Sequence, residues 1–318
     1  MPRRRALLLA PLALPTIAHA QAWPTRPLRL IVPFAPAGSS DVVGRMLADR
    51  LGRVLAQPVV VENRPGAAGS IGVDAAAKSP PDGHTIVIIT ANQTINETLQ
   101  KAQPFRLLAD LAPVAAVNSF PLALAVTNAV PARTVAEFVA YAKANPGRLS
   151  YASSGPGSLY HLVGEQFRRL GGFEMEHVPY RNFNEGRTAV ISGQPQLIFD
   201  AVFTLAPLIR GGQLRGLATT GVAPSAMLPE LPLMSASYPG FEATLWNGIL
   251  APRATPPEIV ARLNAAIGQV LAEPEMQRPQ AEMGAVLTPM TPEGFAAFLA
   301  GEVRRYAELV REIGLQPE

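Results

Sequence analysis

The chain of 318 residues contains no cysteine. That excludes disulfides, thiolate metal sites and a lipid anchor on an N-terminal Cys. No stretch after the first twenty residues is long and apolar enough to span a bilayer. The formal net charge of +3 comes from 27 Lys+Arg against 24 Asp+Glu, and Arg3, Arg4 and Arg5 account for all of it. Without those three the balance is 24 against 24, and no basic stripe interleaves with aromatics, so nucleic acid is dropped as a partner. There is no P-loop, no G-x-G-x-x-G after the first strand and no G-x-S-x-G elbow. The few histidines lack ligand spacing, so neither a metal nor a cofactor is expected.

What is present begins with a leader. Arg3 to Arg5 form a positive segment, Ala6 to Ile17 an apolar one, and Ala18-His19-Ala20 a cleavage site. The expectation is export to the periplasm with cleavage after Ala20, by the general or the twin-arginine route. The remaining 298 residues suffice for a large core in two domains.

Two stretches about 120 residues apart carry one pattern. Leu28 to Asp41 leads into Val42–Leu51, and Leu149 to Ser158 leads into Leu159–Phe167. Each reads as a strand, a Gly/Ser loop and an amphipathic helix. Such a loop sets backbone N–H groups and hydroxyls at a helix N-terminus, a geometry that binds anions. A two-lobed receptor closing on a small carboxylate follows. In each half the order is strand, loop, helix, strand, loop, helix, strand, which favours an α/β class with mostly parallel sheets. In the first half the spacing predicts strands at 28–33, 58–62 and 85–90 and helices at 41–56 and 71–78. In the second it predicts strands at 149–152, 176–180 and 196–199 and helices at 158–170 and 185–192. Ser39, Ser40 or Asp41 is expected to cap the first helix. Val114–Val126, interrupted by Pro121, and Ala243–Leu250 read as two crossovers between lobes. Lobe 1 is then 21–122 plus 245–318 and lobe 2 is 123–244, with C-terminal helices at 255–271 and 291–313 closing lobe 1.

The residues also carry a family pattern. Pro33-Phe34 with Gly38-Ser39-Ser40-Asp41, Val61-Glu62-Asn63-Arg64-Pro65-Gly66 with Gly69-Ser70-Ile71-Gly72, and Pro81-Asp82-Gly83 lie in the first half. Tyr151-Ala152-Ser153-Ser154-Gly155 with Gly157-Ser158 and His161, His177-Val178-Pro179-Tyr180-Arg181, Gly193-Gln194 with Phe199-Asp200, and Leu250-Ala251-Pro252 with Thr255-Pro256-Pro257-Glu258 follow. In this order they resemble the tripartite tricarboxylate transporter substrate-binding proteins, also called the Bug family, over the whole chain from about Trp23 to Leu315. The resemblance implies a type II periplasmic binding protein fold, with two α/β lobes joined by two crossover strands and a ligand cleft between them. It implies capture of an organic acid (a mono-, di- or tricarboxylate or an acidic amino acid) by a monomer, for inner-membrane transporter subunits or, alternatively, for a sensor histidine kinase.

Carried over, the first loop is Phe34, Ala37, Gly38, Ser39 and Ser40, and the second is Ser153, Ser154, Gly155, Gly157 and Ser158. Thr90 and Asn92 line the floor, and Asp200 faces the cleft. His161 is either a ligand contact or a packing histidine. Asp200 either accepts an amino group or holds a hinge or hydroxyl. Arg181 is a second cation or a solvated loop residue, and Trp246 is expected to pack. Ala37 and Asn182 stand where the family usually carries Gly, so the first loop is expected to be tighter or shifted and the Asn182 turn left-handed. Asp41 is expected as a cap or a partner of Arg64. A hydrolase triad of Ser158, His161 and Asp200 can be written on paper, but Ser158 is already explained as an anion donor and no enzyme is expected.

Overall fold

A computed structural model describes residues 23–100 and 102–316. The leader and its cleavage site lie outside the described residues. The first half runs β1 (Leu28–Val32), α1 (Ser39–Leu55), β2 (Val59–Asn63), α2 (Ser70–Ala77), β3 (Thr85–Ile89), α3 (Ala91–Leu99), α4 (Leu107–Asp110) and the long β4 (Leu111–Thr127). The second runs α5 (Val135–Ala144), β5 (Ser150–Ser153), α6 (Leu159–Gly171), β6 (Glu176–Pro179), α7 (Phe183–Ile191), β7 (Leu197–Ala201), α8 (Val202–Arg210) and β8 (Leu214–Thr219). The chain returns through β9 (Thr244–Pro252), α9 (Pro257–Ala272), α10 (Pro274–Glu282), β10 (Val286–Leu287) and α11 (Pro292–Ile313).

The two halves share one strand order. β1 pairs in parallel with β2 and β3, and β3 pairs antiparallel with β9, which pairs with β4. β5 pairs in parallel with β6 and β7, and β7 pairs antiparallel with β4, which pairs with β8. Every residue of β3 and of β7 is buried, as parallel strands covered on both faces must be. The duplicated pattern in the sequence is therefore a duplicated topology.

β4 belongs to both halves. From Leu111 to Pro121 it pairs with β9, and from Leu122 it pairs with β7. Pro121 has no N–H to give a ladder, and it sits where the strand changes partner. The return passage is tied to the same place. The buried Thr220 hydroxyl accepts from the Leu122 amide (2.9 Å) and donates to the Ala243 carbonyl, while the Thr220 amide donates to the Leu122 carbonyl (2.9 Å).

The strands and helices expected from periodicity are present within about two residues, except that β4 starts three residues before the expected crossover; α4, α5, β8, α10 and β10 are further elements, and three other differences bear on the site. α1 has Gly38 at its N-cap and no side-chain cap, so Ser39 and Ser40 lie inside its first turn. Asn182 is extended (φ −108°) and caps α7 through its side chain, so the turn there is not left-handed. α3 and α8 add helices directly after β3 and β7.

Candidate functional site

The loops after β1, β3, β5, β6 and β7 open at one end of their strands, the place where open α/β sheets hold ligands. They enclose a cavity of about 1050 Å³ between the halves. Phe34, Gly38, Ser39, Ser40, Thr90, Asn92, Ser154, Gly155, Gly157, His161 and Asp200 line it, and so does Arg181. Three expected residues, Ala37, Ser153 and Ser158, are not in the lining.

The first loop is braced from behind. Asp41 is 3% exposed and does not pair with Arg64, which binds Glu62. Its Oδ2 accepts from the Ala37 amide (2.8 Å) and Arg45 Nε (3.0 Å), and its Oδ1 accepts from Asn63 Nδ2 (2.8 Å). Burial pushes this carboxyl up, but the Arg45, Asn63 and Ala37 donors together hold it below the usual range. Asn63 also donates to the Phe34 carbonyl (3.1 Å). Ala37 adopts φ 62°, a conformation that favours glycine. The result is a fixed turn that presents the uncapped first turn of α1, with the Ser39 and Ser40 hydroxyls, to the cavity. Unmet amides at a helix start attract anions.

The second loop is built differently, because most of its donors are spent inside the protein. The Ser158 hydroxyl, fully buried, accepts from the His161 amide (3.2 Å) as an N-cap. The Leu159 amide donates to Asn92 Oδ1 of the first half (2.9 Å). The Gly155 amide donates to the Ser153 hydroxyl (2.9 Å) and the Gly157 amide to His161 Nδ1 (3.3 Å). Ser153 in turn bonds His177 Nε2, and the His177 ring stacks on His161 at 4.0 Å. Burial, with the His161 ring beside it, pushes the His177 imidazole down to about 3. Gly157 has φ 70°, and a Cβ there would meet Asn96 Oδ1 at 2.6 Å, so this close approach between halves requires glycine.

Two residues that sequence reasoning missed complete the wall. Arg187 on α7 grips Asp200 through Nε (3.0 Å) and Nη2 (2.7 Å), and Asp200 is 2% exposed. Tyr160, stacked on Phe183 at 4.4 Å, lies beside Asp200 and near Ser39 of the opposite half. Burial pushes the Asp200 carboxyl up, and Arg187 opposes the shift. The rule that a buried acid needs a cation could have prompted a search for Arg187. For Tyr160 the signal was only its place in the first turn after the loop. Trp246 packs as expected, 3% exposed, with Nε1 donating to Glu302 (2.9 Å).

Comparison with known proteins agrees with this architecture. The family model described as tripartite tricarboxylate transporter family receptor matches residues 43–315. Protein BugT of Bordetella pertussis is 35% identical over 298 residues, covering 93% of this chain and 91% of that protein. Among solved structures, the periplasmic binding protein BugD has a TM-score of 0.88 at 30% identity, covering 93% of this chain and all of that one. Rpa4515 of R. palustris, solved with adipate, has a TM-score of 0.89 at 31% identity over the same shares.

Proposed function

This chain belongs to the tripartite tricarboxylate transporter family of receptors, and on that footing we propose that it is a non-catalytic periplasmic receptor for a small organic acid. A carboxylate docks on the first turn of α1, receiving the amides and hydroxyls of Ser39 and Ser40. The second loop covers it from the opposite half through Ser154 and Tyr160. The observation that carries this reading is the asymmetry of the two loops. The N-terminus of α6 is capped by Ser158 and Asn92, whereas that of α1 has no side-chain cap and faces the cavity. Adipate bound to Rpa4515 supports a carboxylate as the ligand class.

The lobes, 21–122 with 245–318 and 123–244, rotate about the Pro121–Leu122 passage and the Thr220–Ala243 tie. Contacts made to both lobes at once, such as Asn92 to Leu159, favour the closed form, and the ligand adds to them. Charge-assisted hydrogen bonds contribute about 1.5–3 kcal/mol each. A few of them, less the closure cost, match the roughly 8 kcal/mol of a micromolar site. The loaded monomer then delivers its acid to the membrane subunits of a tripartite transporter.

A thermal-shift screen against mono-, di- and tricarboxylates tests the reading. Ligand at about 100 times its Kd adds about 2.7 kcal/mol by mass action, and the melting temperature is expected to rise by several degrees for at least one acid. A flat response to every acid would contradict a receptor for organic acids.

A further inference from the structure

A carboxylate offers about four lone-pair positions, and three hydrogen bonds already reach Asp200. Oδ2 accepts from Arg187 Nε and Nη2, and Oδ1 accepts from the Ala201 amide at 2.7 Å. The Tyr160 side chain lies beside it. Among the described residues lining the cavity, Asp200 is the only acid. Four side-chain carbonyls of the lining accept bonds from within the protein. Asn92 Oδ1 accepts from the Leu159 amide, Gln100 Oε1 from the Ser70 hydroxyl, Asn182 Oδ1 from the Asn184 amide, and Asn184 Oδ1 from Arg187 Nη1. The one carboxylate of the lining is therefore neutralised by Arg187, and Arg181 adds a second cation, so no unpaired negative charge faces the first turn of α1 across the cavity.

An ammonium group loses its water on entering such a site and needs a negative partner, and the single carboxylate of this wall is already paired with Arg187. The lining also carries an apolar and aromatic part, with Tyr160 stacked on Phe183, and Phe34, Ile71, Leu99 and Leu245 beside the cavity. We infer that the site takes carboxylic acids without an amino group, carried on a hydrocarbon chain or ring, and rejects the corresponding amino acids. Asp200 is then a positioning residue: it fixes Arg187 and is not an amine receptor. This inference rests on the receptor reading above and names its substrate class.

The test is calorimetric titration of the purified protein with matched pairs: succinate and aspartate, glutarate and glutamate, 3-phenylpropionate and phenylalanine. At least one des-amino acid is expected to bind, with its amino partner at least tenfold weaker. An amino acid that binds tighter than, or within tenfold of, its des-amino partner overturns the inference and leaves the receptor reading standing. Binding by no acid of either kind overturns both. Arg187→Gln frees two positions on Asp200, so the same titration should show the discrimination reduced at least tenfold. Unchanged discrimination in a folded Arg187→Gln protein removes Asp200 as its source. If that variant does not fold, the wild-type pairs still decide.

Discussion

Ala37 holds a left-handed conformation at φ 62° because its amide must turn back to Asp41. A Cβ in that region costs about 1–2 kcal/mol, and glycine returns about 0.5–1 of it as unfolded-state entropy. Ala37→Gly is therefore expected to raise stability by about 0.5–1 kcal/mol, measured as a higher denaturant midpoint with unchanged slope. A lower midpoint would show that the Cβ makes a contact worth more than the strain. The sequence marks Ala37 as unusual, yet the purpose of the turn becomes clear only with Asp41. That acid was expected to cap α1 or to meet Arg64. Its partner is Arg45, four residues on along the same helix, a spacing that alone favours the pair. Ser153 and Ser158 read as anion donors in the sequence because a Gly/Ser loop does not reveal which hydroxyls turn inward. Both are fully buried, and each serves a neighbouring backbone amide.

At the scale of elements, α1 and α6 were legible from the 3.6-residue period, α11 from the Thr291-Pro292-Glu293-Gly294 start, and β1 and β3 from apolar runs bounded by turns. α3 was not, since Asn92, Gln93, Asn96 and Glu97 break any apolar stripe. Its signal was a capping box, Thr90 with Gln93 three residues on, and the Thr90 amide does donate to Gln93 Oε1 (2.9 Å). α8, which holds Pro207, and α10, which holds Pro279, were hidden by proline inside the helix.

The loop between β5 and α6 has its own consequence. His177, which supports it through Ser153, titrates at about 3 when folded, because it is buried and lies beside His161. An unfolded imidazole takes its proton near 6.5. Between those values the unfolded chain binds more protons, so stability is full above about pH 6.5 and falls as the pH drops toward 3. The melting temperature should decline over that window, and His177→Gln should flatten the decline. An identical slope in the variant would assign the acid sensitivity to other groups.

At the scale of the molecule, the duplicated order of strand, loop and helix was the most legible feature, and it became two matching strand orders that share β4. What composition could not convey is that the two halves are chemically unequal. One loop spends its donors on its own scaffold, and the other leaves those of the first turn of its helix to the cavity. That difference depends on contacts between residues far apart in the chain, such as Asn92 with Leu159 and Arg187 with Asp200.

The central claim is that the first turn of α1 holds a carboxylate between the halves. Its most direct test is calorimetric titration of the wild type and of Ser39→Ala/Ser40→Ala with the tightest acid found. Loss of two hydroxyl donors to a charged oxygen, at about 1.5–3 kcal/mol each, predicts a Kd weaker by at least tenfold with the fold intact. A Kd equal to that of the wild type would contradict it.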